Sequence, residues 1–320
     1  MSLGEFDLIA RWFTRPVRRA ALGVGDDCAL LAPTPGMQIA VSSDMLVEGR
    51  HFLSTVPPAA LGHKALAVNL SDLAACGARP MAFTLALALP RVDEALLEGF
   101  SQGLWALADA HGIELVGGDT TAGPLNICIT VFGEVPPGQA LLRSGAAAGD
   151  ELWVSGSLGD ARLALEAFRG TVVLDGAGLA LARQSMERPQ PRVALGLALR
   201  GVATSAIDLS DGLLGDLGHV LRRSGVGAQV VLDRLPRSAL LAAQPLGVQQ
   251  TCLLAGGDDY ELLFTAPPTA RRAVRDAAAQ AGVVVTPIGQ VTAEPGLSVV
   301  DDRGRRVDVS AHRAFDHFQP

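Results

Sequence analysis

Apolar residues recur along the 320-residue chain at two spacings, helical and alternating, and the two take turns from end to end. Phe6, Ile9, Trp12 and Phe13 share one face of a short helix over residues 4–13. Residues 38–43 read as a strand ending in Asp44, and 58–76 as a long alanine-rich helix that Gly77 stops. An almost wholly apolar strand over 80–89 leads into a helix over 93–111. Strands at 114–116 and 126–135 then flank a turn, Gly117-Gly118-Asp119-Thr120-Thr121. Residues 136–150 are rich in Pro, Gly and Ala and make the best linker, which divides the chain into 1–138 and 139–320. The second part restarts with a strand at 151–155, helices at 159–168 and 192–199, and a strand at 204–207. A helix at 211–223 and strands at 228–232 and 260–265 follow. It closes with a helix at 269–281, a strand at 283–288 and a hairpin around Asp302-Arg303-Gly304. Alternating strands and helices in both parts predict a mixed α/β (α+β) protein of two domains.

Composition narrows the class. Hydrophobic residues make up 49% of the chain, yet no uninterrupted apolar run reaches the ~18 residues of a membrane span. No basic stretch precedes an apolar one at the N-terminus, so a cytoplasmic location is the expectation. A net charge of −7 argues against a nucleic-acid binder held by a general basic surface. Of the 26 cationic residues, 25 are Arg and one is Lys, Lys64. Its surroundings, Leu61-Gly62-His63-Lys64-Ala65, are not a Walker A loop, and the V-A-I-K lysine strand of protein kinases is missing as well. Cys28, Cys76, Cys128 and Cys252 form no C-x-x-C and read as small hydrophobes, and the six histidines form no H-E-x-x-H.

The acidity is concentrated in short turns. Gly23-Val24-Gly25-Asp26-Asp27, Ser42-Ser43-Asp44, Asn69-Leu70-Ser71-Asp72 and Gly117-Gly118-Asp119-Thr120-Thr121 lie in the first part. Asp208-Leu209-Ser210-Asp211-Gly212 and Gly256-Gly257-Asp258-Asp259-Tyr260-Glu261 lie in the second. Carboxylates, serine hydroxyls and carbonyls are the hard oxygen ligands that Mg²⁺ accepts. Each turn taken alone is better explained by ordinary turn or N-cap chemistry. Six of them in one chain exceed coincidence without identifying a ligand.

In the Asp208–Asp211 segment, Ser210 would cap the following helix and Asp211 would occupy its first turn, beside N–H groups suited to phosphate. Asn69 and Asp72 share one helix face, where metal ligation and helix–helix hydrogen bonding compete as explanations. Arg143 serves equally as a phosphate clamp or as an exposed linker arginine. His51 follows Glu48-Gly49-Arg50 near Asp44 and is held only as a substrate contact.

Taken together, these motifs are recognisable. Gly4-Glu5-Phe6-Asp7-Leu8-Ile9, Gly25-Asp26-Asp27-Cys28-Ala29, the run from Ser43 to Phe52, Asn69-Leu70-Ser71-Asp72-Leu73-Ala74, Gly117-Gly118-Asp119-Thr120-Thr121, Asp208-Leu209-Ser210-Asp211-Gly212-Leu213 and the run from Gly256 to Leu262 resemble the thiamine-monophosphate kinase family. The matches reach from residue 4 to Phe315-Asp316-His317-Phe318, so the resemblance covers essentially the whole chain.

The resemblance implies an ATP-dependent kinase that converts thiamine monophosphate to thiamine diphosphate with several Mg²⁺ ions. It also implies a two-domain aminoimidazole ribonucleotide synthetase-like fold whose N-terminal domains pair in a homodimer. The first domain would hold the metal and ATP site, and the second would complete the ATP and substrate sites. Carried over by position, Asp27, Ser42, Ser43, Asp44, Asp72, Asp119, Asp208 and Asp211 match magnesium ligands, with Asp44, Asp119 and Asp211 nearest the chemistry. Gly118, Asp119, Arg143 and Ser210 match nucleotide contacts, and His51, Glu261 and Phe315 the thiamine-phosphate site. The family often has Thr where Ser43 stands and Tyr or Trp where Phe315 stands. A selenophosphate synthetase would carry a Cys–Lys pair and a hydrogenase-maturation relative a terminal cysteine, and neither occurs here. A non-catalytic nucleotide or thiamine-phosphate sensor is the rival from a different class.

Overall fold

Strand and helix signals become a sheet-and-helix unit on each side of residue 138 in the computed structural model, which describes residues 4–312. The first unit comprises residues 1–73 and 78–138, and the second 74–77 and 139–320.

The first unit opens with α1 (Glu5–Leu8), continued by a π-helical turn over Ile9–Phe13. Next come β1 (Gln38–Val47), α2 (Pro58–Ala75), β2 (Arg79–Leu89), α3 (Glu94–His111), β3 (Glu114–Ala122) and β4 (Asn126–Val135). Asp93 caps α3, its carboxylate accepting from the Leu96 N–H at 3.1 Å. The strands form one sheet in the order β1-β4-β2-β3, antiparallel except for the β2–β3 pair.

Two expectations change here. Asp44 lies inside β1, three residues before its end, because Met45, Leu46 and Val47 continue the pairing with Cys128, Ile127 and Asn126. The Gly117–Thr121 segment is strand, not turn, and pairs with β2 across a bulge between Phe83 and Thr84. Gly118 makes that pairing possible: its φ is 145°, and a Cβ there would lie 1.8 Å from the Leu85 carbonyl oxygen.

Two buried or half-buried glutamates tie down the segment that carries Asp27. Glu114 accepts from the backbone N–H groups of Arg18, Arg19 and Ala20 at 2.8–3.2 Å. Glu134 accepts from Thr34 N at 2.9 Å and pairs with Arg19 and Arg79.

The second unit runs β5 (Glu151–Ser155), α4 (Asp160–Phe168), α5 (Gly176–Glu187), α6 (Val193–Ala198), β6 (Ser205–Asp208), α7 (Leu213–Ser224) and β7 (Gly227–Val231). It continues with α8 (Ala239–Ala242), α9 (Leu246–Ala255), β8 (Leu262–Ala266), α10 (Arg271–Ala281), β9 (Val285–Thr292) and β10 (Gly296–Val300). The sheet order is β10-β7-β9-β5-β8-β6, antiparallel except for β7–β10. Leu152, Val154, Ile207, Leu217, Val230, Leu263 and Ile288 form its apolar core. Helices α5, α8 and α9 were not foreseen from the sequence. The first starts at Gly176-Ala177-Gly178 and the last holds Gln249-Gln250-Thr251, composition that blurs a helical stripe. Among the described residues no helix is long and apolar enough to cross a membrane.

Candidate functional site

Strand parity sorts the β1 candidates. Ala40, Ser42, Asp44 and Leu46 turn toward α2, whereas Ile39, Val41, Ser43 and Met45 turn to the opposite, exposed face. Ser42 and Asp44 stand opposite the buried Val131 and Ile129, and polar groups of α2 meet both residues. Ser42 donates its hydroxyl hydrogen to the Asp72 carboxylate in a short bond. Asn69 accepts from the Asp44 backbone N–H at 3.1 Å through its side-chain oxygen, while its NH₂ donates to Ala65 O at 3.0 Å. The Asn69–Asp72 face noticed in the sequence therefore meets the Ser42–Asp44 face, and both groups are oxygen donors.

Ser43 departs from the expected arrangement. Its hydroxyl lies on the opposite face of the sheet from that cluster, 2.9 Å from Thr130 Oγ1 and 3.2 Å from the Ile129 carbonyl, to which it donates. Only its backbone carbonyl remains as an oxygen for the inner face. Asp27 and Asp119 are exposed.

His51 follows β1 in a turn whose Gly49 has a φ of 77°. The ring nitrogen Nδ1 accepts from Val47 N at 3.0 Å, which leaves Nε2 to carry the proton of the neutral imidazole.

In the second unit Asp208 ends β6 and is buried, and Asp211 is half-buried. Ser210 does not cap α7, which begins only at Leu213 with Gly212 as its N-cap residue. Asp216, overlooked in the sequence, takes over the turn. Its Oδ2 accepts from Asp211 N at 3.1 Å and from Gly212 N at 3.0 Å. Burial, then the neighbouring Asp211 charge, pushes its carboxyl up to about 7, and Arg143 opposes the shift. Arg143 thus shares the electrostatic neighbourhood of Asp211 and Asp216, and its carbonyl accepts from Ser224 Oγ at 3.3 Å. The sequence signal for Asp216 was an acidic residue four positions after Gly212, able to reach back to the free N–H groups of the helix start.

Residues 256–261 brace the same segment. Asp258 N donates to Ser210 O at 2.9 Å, Tyr260 N to Leu209 O at 2.8 Å, and Leu209 N to Glu261 O at 2.9 Å. Asp258 and Tyr260 hold positive φ values of 68° and 49°, conformations that cost a non-glycine residue about 1 kcal/mol or more each. Asp259 accepts from Gly159 N at 2.8 Å. Desolvation raises its carboxyl well above the ordinary range, and the charges of Glu261, Asp160 and Asp258 add to this.

Glu261 is buried, and both of its carboxylate oxygens are engaged. Arg192 grips it with two guanidinium nitrogens, Nε at 2.6 Å, and Ser155 Oγ donates to it at 2.5 Å. A Cβ on Gly156 would strike this carboxylate at 2.0 Å, and that residue also needs its φ of 59°. Phe315 lies outside the described residues.

Among the described residues no three His, Cys, Asp or Glu side chains converge as ligands of one ion. Mg²⁺ keeps several waters and is held by one or two carboxylates together with substrate phosphates, and the oxygen groups of Ser42 and Asp72 are of the kind it accepts. The crowding of Asp211 on Asp216 is a like-charge conflict that a cation would relieve.

Comparison with known proteins gives the lineage. Residues 25–135 match the family of AIR synthase related proteins, N-terminal domain, and residues 147–302 match its C-terminal domain. The thiamine-monophosphate kinase of Salmonella typhimurium is 47% identical over 325 residues, covering 99% of both chains. The crystal structure of thiamine-monophosphate kinase from Stenotrophomonas maltophilia superposes with a TM-score of 0.85 at 44% identity, covering 96% of this chain and 99% of that one. A structure of AaThiL complexed with AMPPCP and TMP gives 0.76 at 29% identity, covering 90% and 89%.

Proposed function

The chain belongs to the thiamine-monophosphate kinase family, and from that membership we infer that it transfers the γ-phosphoryl group of ATP to thiamine monophosphate, giving thiamine diphosphate and ADP. The observation that carries this is the 47% identity sustained over 99% of both chains, with every acidic motif included in that span.

The chemistry asks little of a base. The acceptor is a phosphate monoester whose second pKa is about 6, so at neutral pH it is already an anionic nucleophile. What remains is to bring two polyanions into line and neutralise the charge between them. Bound Mg²⁺ ions would supply that neutralisation; in the first unit Asp27, Ser42, Asp44, Asp72 and Asp119, with the Ser43 carbonyl, and in the second Asp208 and Asp211, are the groups assigned to hold them. Asn69 fixes the Asp44 backbone, Asp216 fixes the turn of Asp211, and Arg143 adds a permanent positive charge near Asp211. Gly118, Asp119 and Ser210 are assigned to the nucleotide, and His51, Glu261 and Phe315 to the thiamine-phosphate side. Glu261 acts there through Arg192, since its own oxygens are occupied. Transfer is direct, without a phosphoenzyme, and the cytoplasm is the compartment assigned to it.

A coupled ADP-release assay with thiamine monophosphate tests the reading. Turnover is expected with Mg²⁺, none with excess EDTA, and no protein-bound label from γ-labelled ATP. Tight binding of thiamine monophosphate without any magnesium-dependent ADP release would favour the sensor instead.

The partner is a second copy of this chain. β1 is an edge strand, and its outer face exposes Ile39, Val41 and Met45 at 41%, 59% and 52%. An apolar face on an open sheet edge is a pairing surface unless something covers it. Val41→Glu is expected to shift the protein to monomer in sedimentation velocity while its far-ultraviolet spectrum stays unchanged. A wild-type chain that sediments as a monomer at micromolar concentration sinks the homodimer.

A further inference from the structure

Lys64 is the one lysine among 26 cationic residues, and it is buried, with 2% of its surface exposed. A chain that uses arginine at every other cationic position keeps a lysine where no solvent reaches. Burying an ammonium is unfavourable unless its donors are satisfied, and a methionine would fill the same volume without that penalty. The charge therefore has a task.

Its Nζ donates to the carbonyl oxygen of His51 at 3.0 Å. Within the turn that carries His51, Arg50 N and His51 N donate to Val47 O at 3.1 and 3.0 Å and Gly49 N to Phe52 O at 2.8 Å, while Glu48 N reaches Leu125 O on the neighbouring chain segment at 3.4 Å. Lys64 ties that turn to a rigid helix. It is also one rung of a ladder along α2, where Lys64, Asn69 and Asp72 meet His51 O, Asp44 N and Ser42 Oγ in turn. The positions rise along the helix as they fall along the strand and its turn, so one helix, α2, contacts three candidate site residues at once. Lysine brings a compact ammonium to the His51 carbonyl, whereas the planar five-donor fork of arginine needs more room and more acceptors.

We propose that Lys64 is a positioning residue: its buried ammonium fixes the turn over residues 47–52 and thereby aims the His51 imidazole at the phosphate end of thiamine monophosphate. This rests on the assignment of His51 to the substrate. Lys64 itself does not reach substrate.

The test uses the full-length enzyme as Lys64→Met, His51→Ala and the double variant. It measures KM for thiamine monophosphate and for ATP, together with amide hydrogen exchange over residues 47–52. Lys64→Met is expected to raise KM for thiamine monophosphate about 10- to 100-fold and that for ATP less than about twofold. Exchange over 47–52 should quicken, and the double variant should be no worse than the poorer single one, since both act through the same ring. Lys64→Gln, which keeps an N–H donor on a side chain one bond shorter, should recover part of the loss, and it replaces Lys64→Met in every comparison if the latter does not fold. Unchanged exchange over 47–52, or an unchanged KM for thiamine monophosphate where His51→Ala is impaired, overturns the proposal. Normal kinetics in His51→Ala overturns the placement of His51 and this link with it. A wild-type chain that never turns over thiamine monophosphate defeats the kinase reading alone, and the exchange data then still decide whether Lys64 holds the turn.

Discussion

Asp44→Asn is expected to lower turnover at least ~100-fold while leaving the protein folded. The side chain stands on the α2 side of β1 beside Ser42, and its own backbone N–H is received by Asn69 at 3.1 Å. Asparagine keeps the volume and the strand geometry, so the change removes a negative oxygen and little else. Steady-state ADP release, with a melting curve as control, measures the effect. Activity within a few-fold of wild type would show that the site lies elsewhere. Asp211→Asn should cause a comparable loss with a different signature. Asp216 is pushed up to about 7 by burial and then by the Asp211 charge, so removing that charge eases the turn. In EDTA this variant is expected to melt no lower than wild type even though turnover falls.

Glu261→Ala has the largest expected effect on stability, a loss of about 3 kcal/mol or more. It strands the guanidinium of Arg192, whose side chain is 22% exposed, and leaves the buried Ser155 hydroxyl without its carboxylate partner. Urea unfolding of the full chain reads this as a lower midpoint for the second unit. The pair Arg192→Met with Glu261→Leu removes both charges and should recover much of the loss, because a filled apolar site carries no orphaned charge. A loss below about 1 kcal/mol for Glu261→Ala would mean that Arg192 finds water readily and that the grip is weak.

These two residues also mark where sequence reasoning stops. Asp44 and Asp211 stand in local patterns, an acid beside serines or before glycine, and local pattern is what a sequence displays. The elements around them are equally local. α2 is apolar almost all round and α3 carries a long apolar stripe, and Asp93 and Gly112 cap the latter at both ends. Glu261 was legible only as part of an acidic run. Its partner Arg192 lies 69 positions away on a different element, and no spacing rule links them. Asp216 escaped notice for a smaller reason: its carboxylate turns back toward Asp211 and Gly212, which depends on the helix starting at Leu213 and not two residues earlier.

By itself, the alternation of apolar and polar residues determined the mixed class, most of the strands and helices and the acidic, oxygen-rich chemistry, because each depends on neighbours within a few positions. Tertiary structure decided the rest. Which face of β1 each residue occupies follows from the register with β4, and that register sends Ser43 away from Ser42 and Asp44. Whether Gly117–Thr121 turned or stayed extended depended on β2 lying alongside it. Whether the lone lysine was a surface charge or a buried strut depended on the His51 carbonyl arriving beside it. The physical reason is common to all three: backbone preference is local, but hydrogen-bond partners and burial are set by segments remote in sequence, and only the folded chain brings those together.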